Sequence, residues 1–269
     1  MPEVAKLVDL SRCTGCKGCE VACKVWNELS VEPTTNFGSY QSHKDLSPTT
    51  WLLLRFAEID VEGQVRWLIR GDACHHCQEP ACLLNCPAPG AIIQYENGAV
   101  VYREESCIGC GTCVAVCPFR IPRLDPEAAK ARKCSFCIDR IEGGLEPACA
   151  KTCPSGAISF GTRDDMLSLG RERVSGLEGR GLASAVLYDP PGVGGSHMIF
   201  LVPFGEHLAD YGLPADPQVI SGARSLLRDW ASVGAGLGGL GLLGAATRLM
   251  MAPQEPASGD EAARRVPKT

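Results

Sequence analysis

The chain has 269 residues and a mass of 28.6 kDa, which is enough for one large domain or two small ones. Hydrophobic residues make up 45% and charged residues 21%, a composition that excludes an intrinsically disordered chain, and the net charge of −5 argues against nucleic-acid binding. The sixteen cysteines call for an explanation other than disulfides, because a chain of this size can build a hydrophobic core without them.

Four groups of four cysteines follow one another along the chain, with none left over. Groups one and three have the spacing CxxCxxCxxxC, group two has CxxCxxxxCxxxC, and group four has eleven residues in its middle gap. The last cysteine of groups two, three and four precedes a proline. This pattern is typical of bacterial ferredoxins, in which three cysteines of a group bind one 4Fe–4S cluster and the fourth binds its neighbour.

Several elements are predicted between the cysteine groups. Residues 51–59 and 65–70 are two strand-like runs around a turn, and we expect a β-hairpin that covers one face of the cluster domain. Three prolines in residues 118–133 disfavour a helix before Glu127. The segments CPAPGAI and CPSGAI each predict a Cys-Pro turn followed by a short strand. This repeat predicts an α+β fold of two ferredoxin-like units, one inserted in the other, within a four-cluster domain of residues 1–163.

A C-terminal extension, residues 164–222, should pack on the cluster domain and on a partner protein. Apolar residues at helical spacing predict a helix over 164–180. The stretch ASAVLYDPPGVGGSHMIFLVPF predicts two apolar strands around a Pro-Gly loop.

Residues 223–252 are predicted to form a single transmembrane helix, because no charge occurs from Trp230 to Thr247. The alternative is a buried helix of a soluble protein. Small residues would form a packing face for another membrane helix: Gly234, Gly238, Gly241 and Ala245. Glycine patterns in this stretch match a dinucleotide-binding motif, but no βαβ unit surrounds them. The tail 253–269 is rich in proline and charge and is predicted to be disordered.

The expected orientation follows from the basic residues, which are more numerous after the predicted span than before it. This excess predicts a cytoplasmic C-terminus and a cluster domain on the extracytoplasmic, periplasmic side of the membrane. The sequence starts without the pattern of a signal peptide. We therefore expect the chain to be exported folded, attached to a partner that carries the signal.

The sixteen cysteines can be divided among four sites. Groups two and three lie close together in the sequence, and we pair them; groups one and four then pair by elimination. Each site takes three cysteines from one group and one from its partner group. The predicted ligands are Cys13, Cys16, Cys19 and Cys153 at site A; Cys23, Cys134, Cys137 and Cys149 at site B; Cys74, Cys77, Cys82 and Cys117 at site C; and Cys86, Cys107, Cys110 and Cys113 at site D.

Other interpretations of the cysteines remain open. Paired CxxC units also bind zinc, and group four alone would suit a structural zinc site. Disulfides within CxxC pairs would be strained. His75 and His76 lie inside group two, but the thiolates already complete each cluster, so we expect these histidines beside a cluster or at the surface. Cations near the ligands either tune the potentials or are solvated: Lys17, Lys24, Arg120, Lys133 and Lys151.

Several longer stretches carry a resemblance to a known family. They include VACKVWN, WLIRGDACHHCQEPACLLNCPAPGAIIQYENG, CIGCGTCVAVCPFRIPRLDPE, CSFCIDR, EPACAKTCPSGAISFGT and LYDPPGVGGSH. In these stretches the chain resembles the iron–sulfur β subunit of membrane-bound respiratory formate dehydrogenases of the N/O type, over roughly residues 4–251.

The resemblance implies an electron-transfer subunit that is not catalytic alone. An α subunit with a molybdenum or tungsten pterin cofactor would oxidise formate, and four 4Fe–4S clusters in this chain would carry the electrons. A cytochrome b γ subunit in the membrane would receive them and reduce quinone. In this family the α subunit bears a twin-arginine export signal. The alternative partner is another molybdopterin oxidoreductase or a hydrogenase.

Overall fold

The computed structural model describes residues 2–61 and 63–220 of the chain. The predicted transmembrane helix 223–252, with its packing face, and the predicted disordered tail 253–269 lie outside these residues. Among the helices that the structure does describe, none has the length and apolar character needed to cross a membrane.

The described residues contain short strands and helices in alternation, as expected for an α+β fold. The strands are β1 Val4–Asp9, β2 Leu53–Val61, β3 Gln64–Asp72, β4 Ile92–Gln94, β5 Val100–Tyr102, β6 Arg123–Asp125, β7 Lys130–Arg132, β8 Ile158–Thr162, β9 Val186–Tyr188 and β10 Met198–Val202. The helices are α1 Gly18–Trp26, α2 Ala81–Leu84, α3 Thr112–Ala115, α4 Ile138–Glu142, α5 Ala148–Lys151 and α6 Arg163–Glu178.

The central sheet has four strands in the order β8-β1-β10-β9. Strand β1 pairs antiparallel with β8 and parallel with β10, so both of its edges are occupied. Successive side chains of a strand point to opposite faces. Ala5 and Leu7 pack with the apolar residues of α6, whereas Lys6 and Val8 line a cavity among the cysteines of group one. The sheet therefore separates an apolar core from the cysteine-rich side of the fold.

The predicted helix of the C-terminal extension is confirmed as α6. It begins after Thr162, whose hydroxyl accepts a hydrogen bond from the backbone N–H of Asp165, an N-cap that satisfies one otherwise unpaired amide. Its buried residues include Met166 and Leu177, which face Leu7 of the central sheet. The two predicted strands around the Pro-Gly loop are confirmed as β9 and β10.

The predicted β-hairpin after group one is also confirmed. Strands β2 and β3 pair antiparallel from Leu53 opposite Asp72 to Val61 opposite Gln64. The hairpin lies against the group-one loop: a Cβ on Gly15 would come 2.9 Å from the Phe56 ring. Glycine is therefore required at this position by close approach as well as by its positive φ of 67°.

Two smaller hairpins complete the cysteine-rich side. Strands β4 and β5 pair antiparallel, as do β6 and β7. The strands predicted after the two Cys-Pro turns are confirmed as β4 and β8. No helix begins at Glu127; instead, the Asp125 carboxylate accepts the backbone N–H groups of Glu127 and Ala128, and the chain turns from β6 into β7.

Candidate metal centres

The loops that carry the first cysteines of each group are tightly curled. Lys17, His76, Phe136 and Cys137 have positive φ, a conformation that non-glycine residues rarely adopt. This curl turns loop amides toward the sulfurs. The backbone N–H of His76 donates to Cys74 Sγ at 3.4 Å, and the N–H of Phe136 donates to Cys134 Sγ at 3.4 Å. A short helix contains the third cysteine of each group, and α1 also contains the fourth cysteine of group one.

Site A brings cysteines from groups one and four together. Cys13, Cys16, Cys19 and Cys153 line a single cavity, with Cys149 of site B at its edge. Burial raises the pKa of the Cys13 thiol, and the charges of Cys153 and Cys16 raise it further. Cys16 is exposed to solvent, so site A lies near the surface of the described domain.

Site B is buried more deeply. Cys23 lies in the second half of α1. Burial raises the pKa of its thiol, and the charges of Cys134, Cys149 and Cys137 raise it further. Burial and the charge of Cys134 raise the pKa of the Cys137 thiol to about 11. Cys23, Cys134, Cys137 and Cys149 are all buried. The structure thus brings together the four cysteines predicted for this site.

Site C unites cysteines of groups two and three. Burial raises the pKa of Cys77, and the charges of Cys74, Cys117 and Cys82 raise it further, which places all four thiols near one another. Burial and the charges of Cys82 and Cys74 also raise the pKa of the Cys117 thiol, to about 12.

Site D lies beside site C. Cys86, Cys107 and Cys113 pack in one cluster with Cys82 of site C. Burial raises the pKa of the Cys113 thiol to about 12, with the charges of Cys82, Cys110 and Cys107 acting in the same direction. Cys110 is exposed, so this site, like site A, reaches the protein surface.

The four cysteine sets form a series in the order A, B, C, D. Neighbouring cysteines of different sets give this order. Cys149 of site B lines the same cavity as Cys19 of site A. Cys134 of site B lies close enough to Cys74 of site C to raise its pKa. Cys82 of site C packs in one cluster with Cys113 of site D. The exposed cysteines lie in the two terminal sets.

The chemistry of these sets favours metal ligation. With raised pKa values, most of these thiols would stay protonated unless a cation were present, and metal ligation requires the thiolate. The Tyr102 hydroxyl is buried beside Cys82 and Cys113, and hydrogen bonding from this hydroxyl opposes the rise in the pKa of both thiols. A buried hydroxyl needs an acceptor, and these sulfurs can supply one as thiolates or as cluster ligands. Within residues 2–61 and 63–220, no three His, Cys, Asp or Glu side chains form a site for a single metal ion.

The two histidines of group two are both buried, so the surface location considered for them is wrong. The His75 ring stacks on Phe119 at a centroid distance of 3.8 Å. Burial and the charge of Arg70 lower the pKa of His75 to about 3. His76 Nδ1 accepts the backbone N–H of Val100 at 3.0 Å, which leaves the proton on Nε2. His76 Nε2 is buried and has no hydrogen-bond partner in the described part of the chain.

The five candidate cations differ in their surroundings. Arg120 and Lys151 are exposed, and Lys17 and Lys24 are half-buried. Lys133 is buried; its Nζ donates to the backbone oxygens of Val100 and Cys134. Burial raises the pKa of Cys74, and the charge of Lys133 opposes this rise.

Sequence reasoning missed a second buried lysine, Lys6, in β1. Its Nζ lies 3.9 Å from Cys149 Sγ and 4.9 Å from the centroid of the Phe136 ring. Burial acts to lower the pKa of Lys6, but the charges of Cys149, Cys134 and Cys137 outweigh it and raise the pKa above its usual value. The feature of the sequence that could have indicated this buried lysine is its single charge inside the apolar run VAKLV.

Two family models match the chain, and both describe a 4Fe-4S dicluster domain. One covers residues 12–91 and includes groups one and two. The other covers residues 65–163 and includes groups two, three and four. All sixteen cysteines fall within the two matched ranges.

Several curated proteins are similar over most of the chain. The formate dehydrogenase-O iron-sulfur subunit of Escherichia coli (strain K12) is 50% identical over 222 residues, which cover 81% of this chain and 73% of that protein. The formate dehydrogenase iron-sulfur subunit of Haemophilus influenzae is 45% identical over 256 residues, or 93% of this chain and 81% of that protein. The formate dehydrogenase 2 subunit beta (cytochrome c-553) of Nitratidesulfovibrio vulgaris is 39% identical over 188 residues, or 67% and 85%.

Proposed function

We propose that this chain, which belongs to the family of formate dehydrogenase iron–sulfur subunits, transfers electrons from a formate-oxidising partner to the membrane. The chain is an electron-transfer subunit and not a catalyst on its own. The partner is an α subunit that holds molybdenum or tungsten with a pterin cofactor. The acceptor is a cytochrome b γ subunit, which passes the electrons to quinone.

The ligands of the proposal are the sixteen cysteines, four at each of sites A to D. The single observation that supports this assignment best is the arrangement of four cysteine sets in series, with an exposed cysteine at each end. The dicluster matches support 4Fe–4S clusters as the cofactor, and four thiolates per site correspond to four clusters. When bound, such clusters accept and release single electrons.

The remaining residues of the domain exclude water and control charge. One apolar core contains Cys19, Cys23, Cys74, Cys134 and Cys149 together with residues such as Leu53, Leu68 and Phe200, all of them buried. In this low-dielectric environment a nearby charge acts more strongly on a ligand than it would in water. The buried Lys133 and Lys6 are therefore the cations best placed to influence the inner sites B and C.

The direction of the series can also be proposed. Asn85 lies next to Cys86 of site D, and its side-chain N–H donates to the backbone oxygen of Ile220 at 2.7 Å. The described part of the chain thus ends beside group two, only a few residues before the predicted transmembrane helix 223–252. We assign the site D end to the membrane partner and the site A end to the α subunit. The cluster domain then lies on the extracytoplasmic side, with the C-terminus in the cytoplasm.

An anaerobic purification tests this function. The chain is isolated with the proteins that copurify, iron and acid-labile sulfide are measured, and cluster EPR is recorded after formate is added. We expect about sixteen irons per chain, from four clusters of four, and reduced-cluster signals on addition of formate. Signals that appear with hydrogen or another donor, but not with formate, would indicate that the partner is a hydrogenase or another molybdopterin oxidoreductase. Zinc in place of iron would refute electron transfer.

The direction has its own test. Cross-linking of the intact complex through the exposed surface near Cys16 should capture the α subunit, whereas cross-linking near Cys110 should capture the membrane subunit. Exposed neighbours serve as attachment points, since the cysteines themselves are proposed ligands: Thr14 beside site A and Ile108 beside site D, each replaced by cysteine. Reversed products would contradict the assigned direction.

A further inference from the structure

The side chain of Lys6 is held on the cysteine side of the central sheet. Both edges of β1 are paired, with Lys6 opposite Phe160 of β8 and opposite Met198 of β10. The backbone N–H of Lys6 donates to the carbonyl oxygen of His197 at 2.8 Å. Because its neighbours Ala5 and Leu7 fill the opposite, apolar face, the lysine has one direction in which to extend.

Within the described part of the chain, the Lys6 ammonium group has no carboxylate partner. Lys6 is only 2% exposed, and none of the ion pairs formed within the described residues includes it. Its nearest interactions are with Cys149 Sγ at 3.9 Å and with the face of the Phe136 ring. A buried, unpaired ammonium is unfavourable unless negative charge lies close by. At this position the negative charge comes from the thiolates of site B.

We propose that the positive charge of Lys6 raises the reduction potential of the cluster at site B. This inference rests on the proposed function, because it requires a cluster on Cys23, Cys134, Cys137 and Cys149. A cluster bound by four thiolates becomes more negative when it gains an electron, and a fixed cation beside it stabilises that reduced state. The effect is strong here because the ammonium lies within the protein, where water and salt screen it little.

Lys24 provides a matched comparison. It follows Cys23 directly in the sequence, so it too lies near site B. However, its Nζ donates to the backbone oxygen of Ser30 and pairs with the Glu32 carboxylate at 3.5 Å, and a quarter of its side chain is exposed. A partly exposed cation that already has a carboxylate partner contributes little net charge at a distance.

The experiment is a redox titration, followed by EPR, of the complete complex. Wild type is compared with Lys6→Met, Lys6→Gln and Lys24→Met, and the iron content of each is measured. In Lys6→Met we expect the equilibrium constant for reducing one cluster to fall at least tenfold, which is a decrease of at least 59 mV for a one-electron couple. Lys6→Gln should show the same decrease, because it keeps an N–H donor but no charge. Lys24→Met should change every potential by less than half that amount.

Several results would overturn the proposal. All four potentials of Lys6→Met could remain at their wild-type values with full iron content. Lys6→Gln could restore the wild-type potential, which would make the hydrogen bond and not the charge responsible. Both variants could lose the cluster at site B while the other three potentials stay at their wild-type values, in which case Lys6 is required to assemble the site and not to set its potential. The iron content and formate response of wild type test the proposed function separately, so a failure there is distinguishable from a failure here.

Discussion

Replacement of Gly98 by alanine tests how tightly the β4–β5 hairpin packs on the central sheet. Gly98 has φ +91°, and an added Cβ would lie 2.1 Å from the His197 ring. That ring cannot move easily, because Nδ1 interacts with the backbone oxygen of His76 and Nε2 with Glu3. The conformation alone costs about 1–2 kcal/mol for a non-glycine residue, and overpacking adds about 1–3 kcal/mol. Gly98→Ala should therefore cost roughly 2–5 kcal/mol of stability.

Gly90→Ala is the matched control. Gly90 precedes β4 and has φ +74°, but apart from its two chain neighbours no described residue has an atom within 4 Å of its added Cβ. It therefore carries the conformational cost without the collision. The measurement is the rate at which each purified complex loses its visible cluster absorbance at a fixed, elevated temperature without oxygen, because irreversible unfolding is described by a rate.

The difference between the two variants isolates the collision with His197. A cost of about 1–3 kcal/mol corresponds to cluster loss roughly 5- to 150-fold faster in Gly98→Ala than in Gly90→Ala, if the cost appears in the unfolding rate. Equal rates would mean that the His197 ring can move aside without loss, and the reasoning about this contact would be refuted.

Three further predictions concern single side chains. Tyr102→Phe should keep the full iron content but lower the potential of one cluster, because it removes a buried hydroxyl beside two ligands; unchanged potentials would contradict this role. Lys133→Met should lower one cluster potential, which a redox titration measures. It should also lower the stability by about 1–3 kcal/mol, measured by thermal unfolding, because two buried carbonyl oxygens lose their donor. Thr162→Ala should lower the stability by about 1 kcal/mol, because α6 loses its N-cap, and should leave the potentials unchanged. An unchanged melting temperature would show that the cap is dispensable.

Much of the local structure could be predicted because its determinants are local. The hairpin of β2 and β3 follows from two apolar runs around a turn, and α6 follows from its apolar spacing and N-cap. The cysteine sets at sites A to D also come together as predicted, although sites A and B join groups one and four, which lie more than 100 residues apart. That pairing followed from elimination and not from local structure, and the role of these cysteines as ligands stays a prediction.

Features that depend on distant segments could not be predicted. Whether Lys6 faces solvent or cysteines depends on both neighbours of β1, which lie more than 150 residues away in the sequence. The burial of His75 depends likewise on Phe119 and Phe200, which come from later parts of the chain. The turn after Asp125 could not be predicted either. The Asp125 carboxylate accepts the N–H groups of Glu127 and Ala128 as it would at the start of a helix, but Ala129 adopts a positive φ and the chain enters β7.

The central position of β1 has a consequence for assembly on the ribosome. This strand is made first, yet its partners β8 and β10 end at Thr162 and Val202, so the sheet cannot close until most of the described chain has been synthesised. The proposed ligand sets of sites C and D, by contrast, are complete once Cys117 has emerged, while site B waits for Cys149 and site A for Cys153. The nested order of the cysteine groups thus makes the inserted unit the first one available for loading with iron and sulfide, and the outer unit the last.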